Sequence, residues 1–187
     1  EDTLRFKAFL TFCIIFISTI ITEAHEGIFL KFSIGPGFMT EVSSINGSGL
    51  IIGAKNHAIG WCVNEKLALF IGEFGGLIKE KVGEYNYINL DAFGPGFTYY
   101  ALSNIQVSVS GGYSQAAFAQ EWTEATGDVK GKGYGINMSV EKEWMASKRV
   151  GLGTGAQAFY IKTQNTDFEF INFSLKGMVT FYLTPVR

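Results

Sequence analysis

Glycine stands at every second position in short runs along this 187-residue chain. Gly35 and Gly37 alternate, as do Gly94 and Gly96, then Gly131, Gly133 and Gly135, and finally Gly151, Gly153 and Gly155. A helix has no use for a period of two. A strand does, because successive side chains point to opposite faces. Glycine repeated on one face means that this face is crowded, and the other face here carries Ile, Leu, Val and aromatics. Such a pattern fits a small closed barrel with a narrow interior and an apolar exterior.

Strand-like stretches of roughly 10–15 residues alternate with turn-rich breaks, the pattern of transmembrane strands. Eight are expected, at about 27–39, 49–62, 66–76, 86–100, 104–117, 132–146, 149–162 and 168–183. The breaks at Val63–Glu65, Ala101–Ser103 and Ala146–Lys148 are very short. Those at Thr40–Ser48, Leu77–Tyr85, Phe118–Gly131 and Thr163–Asp167 are longer and more polar. Three short turns and four longer loops suit an all-β, antiparallel, up-and-down transmembrane barrel with both termini on the short-turn side.

The faces support this. Ile28, Leu30, Phe32, Ile34 and Phe38 oppose Lys31, Ser33, Gly35 and Gly37. Ile105, Val107, Val109 and Tyr113 oppose Gln106, Ser108, Ser110 and Ser114. Tyr134, Ile136, Met138, Val140 and Trp144 oppose Asn137, Ser139, Glu141 and Glu143. Ile171, Phe173, Leu175, Val179 and Phe181 oppose Asn172, Ser174, Lys176 and Thr180. A soluble sandwich also alternates, but these apolar faces lack the charges a water-facing side carries. In hydrocarbon a closed barrel pairs every backbone group. Two strands resist the pattern. Glu73 falls on the apolar face of Leu67, Leu69 and Ile71, so a bulge at Gly72 is expected to turn it inward. With Gly94 and Gly96 inside, Asp91 falls outside unless the pairing shifts.

Aromatics gather where two interfacial girdles are expected. Trp61, Tyr99, Tyr100, Trp144 and Phe181 lie beside the short turns, and Tyr87, Tyr113, Tyr134, Tyr160 and Phe170 near the long loops.

Composition bounds the rest. Apolar residues make up 47% and charged ones 17%, below the ~25% charge of soluble domains. A net charge of −2 with no basic stripe excludes nucleic acid as a partner class. Residues 1–24 read as a signal peptide: Arg5 and Lys7, an apolar run from Ala8 to Ile21, then Thr22-Glu23-Ala24. That run is shorter than the ~20 residues of a spanning helix, so residues 25–187 are expected to form the barrel after export. Cys13 lies inside the signal in a poor lipobox, which leaves Cys62 without a disulfide partner.

Ile34-Gly-Pro-Gly-Phe38, Gly94-Pro-Gly-Phe-Thr-Tyr-Tyr100, and the hairpin of Val140-Glu-Lys-Glu-Trp144 with Val150-Gly-Leu-Gly-Thr-Gly-Ala156 carry a resemblance. Over about residues 26–183 the chain resembles the bacterial outer-membrane β-barrel domain family, the small eight-stranded OmpA/OmpX-like barrels. The resemblance implies an outer-membrane location in contact with lipid. Such barrels end on an aromatic read by the assembly machinery; this chain continues past Phe181 and Tyr182 to Arg187.

Chemistry is sparse. A hydrolytic triad would have to centre on His57, since His25 lies at the expected mature N-terminus. Some barrels of this architecture act on lipid A near the outer leaflet. His57 falls toward the short-turn side, the wrong leaflet, so a lumenal or interfacial histidine is expected and no catalytic residue is assigned. The Gly-x-Gly runs precede no helix that could hold a phosphate. Two separated histidines and one cysteine give no metal spacing, and no cofactor is expected. The candidate site is a lumenal charge network in which Glu141 and Glu143 are neutralised by Lys31, with Lys176 or Lys55 as further counter-charges. Buried charges must be paired. An interior of eight strands is narrow enough for side chains to fill, so a plugged monomer rather than an open pore is expected. A surface partner would meet loop 118–131, with Trp122 as anchor. The competing readings are a lipid-modifying enzyme, a narrow ion-conducting barrel, and a soluble lipocalin-like barrel with its faces reversed.

Overall fold

A computed structural model describes residues 27–41, 48–82, 85–102, 104–119, 128–164 and 169–184. They form eight strands: β1 Gly27–Glu41, β2 Ser48–Asn64, β3 Leu67–Val82, β4 Tyr85–Leu102, β5 Ile105–Ala119, β6 Asp128–Ser147, β7 Val150–Thr163 and β8 Glu169–Tyr182. Each pairs antiparallel with its sequence neighbours, and β1 pairs with β8 to close the barrel. Closure leaves no strand edge unpaired, which is what a hydrocarbon solvent requires.

Paired residues followed once round the wall run from Phe29 through Gly60, Phe70, Gly96, Ser110, Asn137, Phe159 and Asn172 to Met39. The path re-enters β1 ten residues further on. That stagger tilts the strands by roughly 35–45° from the barrel axis. Asn64 Oδ1 accepts from the Lys66 amide at 2.8 Å, and Ser147 Oγ from the Arg149 amide at 3.3 Å, so side chains close two of the tight turns. The β1–β2 register slips near Gly35, and Gly53 opposite adopts φ +114°, a conformation that disfavours any other residue.

The expected inward and outward sets on β1, β5, β6 and β8 are all observed. Ile34, Phe173 and Leu175 stand at 65, 63 and 67% exposure while Asn137 and Asn172 are fully buried. A soluble protein does not carry an apolar outer belt of this extent.

Several expectations are corrected. The expected break at Leu77–Tyr85 is almost all strand, because Leu77, Ile78 and Lys79 pair with Asn89, Ile88 and Tyr87. β6 begins at Asp128 rather than 132. Tyr100 and Phe170 point into the lumen, whereas Trp61, Tyr99, Trp144 and Phe181 stay outside near the short turns. The loop-side half of the lumen is apolar, built from Met39, Phe74, Leu90, Phe118, Phe159 and Ile161 among others. Residues 1–26, which hold the expected signal peptide, and residues 120–127 of the expected contact loop, with Trp122, lie outside the described residues.

Candidate functional site

Alternating glycine and the lumenal carboxylates are two sides of one arrangement. Register sets Glu141 opposite Gly155 and Glu143 opposite Gly153. A Cβ on Gly155 would stand 2.5 Å from the Val140 carbonyl oxygen and 2.8 Å from Glu141 Cγ. The glycines of β7 therefore clear the volume into which β6 sends its acids.

Glu141 occupies that space between two cations. Lys31 Nζ reaches Glu141 Oε2 at 2.8 Å, and Lys176 Nζ reaches Oε1 at 2.5 Å, all three side chains being at most 3% exposed. Ser139 Oγ donates to Glu141 Oε1 at 3.1 Å, and Lys176 also donates to Gln157 Oε1 at 3.1 Å. Buried charge is tolerated when paired and hydrogen-bonded, and here both oxygens of the carboxylate are engaged. Strands β1, β6 and β8 are tied across the bore by this one group. Glu143 takes a different partner, accepting from the Tyr182 hydroxyl at 2.7 Å, nearer the short turns. Cys62 and Tyr100, 4.0 Å apart, are buried in the same layer.

Lys31, Glu141 and Lys176 thus come together, while Glu143 bonds to Tyr182. Lys55 does not join them. It shares a face with Ile59 and Trp61 on β2 and points out of the barrel. There its Nζ lies 2.6 Å from Glu73 Oε1 and 2.8 Å from Asp91 Oδ1. No bulge turns Glu73 inward: the register runs unbroken through Ala58↔Gly72 and His57↔Glu73. Gly75, paired with both Lys55 and Asp91, leaves an open lane for the lysine between β2 and β4. Asn89 Nδ2 donates to Asp91 Oδ2 at 2.9 Å. His57 is also on the outer face, its ring against Phe32 with centroids 5.5 Å apart.

The solved structures most like this barrel in the comparison include Neisserial surface protein A, at TM-score 0.62 and 15% identity over 86% of this chain and 99% of that one. The fold is that of a small eight-stranded outer-membrane barrel. Ail, the attachment invasion locus protein of Yersinia pestis, is similar as well, at TM-score 0.53 and 12% identity over 84% of this chain and all of that one. No family model and no curated protein matches the sequence. In this architecture the inside and the outside of the sheet are different solvents, so the two charge clusters do different work.

The placement of His57 bears on the enzyme reading. The inward hydroxyls of Ser33, Ser108, Ser110 and Ser114 lie on the other face of the sheet from it. Among the described residues no three His, Cys, Asp or Glu side chains gather as a metal would require. The outer triad was the feature missed from sequence. Its signal was Lys55, Glu73 and Asp91 each sharing strand parity with apolar outward neighbours.

Proposed function

We propose that the chain is an integral protein of a bacterial outer membrane whose barrel is a closed, filled scaffold. Its role is structural or surface-interacting rather than conductive. The observation that carries this reading is the bore itself. The Lys31–Glu141–Lys176 bridge spans it in the middle, and Phe74, Leu90, Phe159 and Ile161 pack above, each at most 3% exposed. Phe74 and Phe159 meet across the lumen with ring centroids 6.1 Å apart. These side chains occupy much of the bore at that level, and eight strands leave little to spare. The apolar outer belt supports membrane embedding, which export of the barrel would achieve.

Planar-bilayer recording tests the reading. Purified barrel should insert without producing discrete conductance steps at up to 100 mV. Reproducible unitary steps would overturn the plug and favour a narrow channel.

A further inference from the structure

The outer wall is not uniform. On β8 the outward positions from Ile171 through Phe173, Leu175, Gly177 and Val179 to Phe181 carry no charge, Glu169 with its partner Lys162 lying only at the loop-side end, and on β1 Ile28 through Phe38 carry none. On β2 the apolar series Val63, Trp61 and Ile59 stops at His57 and Lys55; on β3 Leu67, Leu69 and Ile71 stop at Glu73. On β4 it stops at Asp91, followed by Asn89, and exposed Gln115 of β5 is paired with Asp91. At ~3.3 Å per residue and a tilt near 40°, Lys55 lies roughly 15 Å above Trp61 and Asp91 roughly 20 Å above Tyr99. The apolar belt of such barrels is ≈25 Å tall. The polar strip therefore begins near mid-height and climbs toward the loop-side edge along β4, through Asn89 and Tyr87, with Leu77 of β3 beside it.

Charges on a lipid face are destabilising, most at the midplane and less near the interfaces. Here the side chains of Lys55, Glu73 and Asp91 are 26, 38 and 27% exposed, so pairing leaves much of each group facing outward. We infer that the loop-side leaflet thins against β2–β4, and that water and the neutral or cationic parts of lipid headgroups descend past Asn89 and Asp91 to Lys55 and Glu73. This inference rests on the membrane reading above. Bilayers deform to meet short apolar walls at modest cost, and continuity of the strip with the rim gives water its route. Two carboxylates to one ammonium disfavour phosphate as the visitor. They also disfavour a second copy, which would bring the same surplus of negative charge to the contact.

The test uses nitroxide labels on the full chain with Cys13 and Cys62 replaced by Ala, in phosphatidylethanolamine–phosphatidylglycerol vesicles. One label is placed by Phe93→Cys, beside Glu73 in register, and the other by Leu175→Cys on β8. The electrophoretic heat shift certifies folding of each. The Phe93 label should be several-fold more accessible to a water-soluble nickel complex than the Leu175 label. The added changes Lys55→Met, Glu73→Leu and Asp91→Leu should erase the difference. Equal, oxygen-dominated accessibility at both sites in the otherwise native chain would overturn the proposal. So would a Phe93 label shielded from both reagents, which would mean that a protein covers this wall. Water access at both labels would instead overturn membrane embedding, and the proposal with it.

Discussion

Glu141 held between Lys31 and Lys176, and Lys55 held between Glu73 and Asp91, are inverse in charge and lie on opposite faces of one sheet. The inner triad carries a formal surplus of +1 and is sealed by the strands around it. The outer one carries −1, and its side chains are 26 to 38% exposed. Similar contact distances therefore conceal different energetics. Inside, desolvation is complete, and each partner is indispensable to the others. Outside, stability depends on whatever solvent the membrane admits. Ion-pair distance alone does not rank such clusters; the medium does.

The comparison can be broken most forcefully from within. Glu141→Gln leaves Lys31 and Lys176 buried without their counter-charge, and should cost about 3–5 kcal/mol. That loss would appear as a lower urea midpoint for unfolding from vesicles. Tyr182→Phe removes the donor to buried Glu143 and should cost about 1.5–3 kcal/mol in the same assay. Gly155→Ala crowds Glu141 and the Val140 carbonyl, and a loss of about 1–3 kcal/mol is expected. Lys55→Met sharpens the contrast. If water reaches the outer triad, its loss should stay within about 1 kcal/mol, as at an exposed ion pair. A penalty matching that of Glu141→Gln would mean that the outer triad is as dry as the inner one.

Much of this was legible from residue order. Eight strands, their antiparallel order and the faces of β1, β5, β6 and β8 follow from clean alternation of polar and apolar residues. So does the inward direction of Lys31, Glu141 and Lys176, because all three share parity with small polar neighbours. β3 and β4 were less legible because they are apolar on both faces over much of their length: Phe70, Phe74 and Ile78 point in while Leu69 and Ile71 point out. Without alternation, inside and outside are ambiguous: turning Glu73 inward needs a bulge that the register lacks, while Asp91 does lie outside, as inward Gly94 and Gly96 require. Lys55 was misplaced for the same reason, although its parity with Ile59 and Trp61 placed it outside. The fit between Glu141 and Gly155 needed the cross-strand register, which residue order does not supply.

The account depends first on the apolar face being the membrane face, and electrophoresis of the membrane fraction with and without boiling tests this most directly. A folded barrel should resist detergent when unheated and shift in mobility after boiling, with the protein retained in urea-washed membranes. Protein recovered in the soluble fraction with no heat shift would contradict the account.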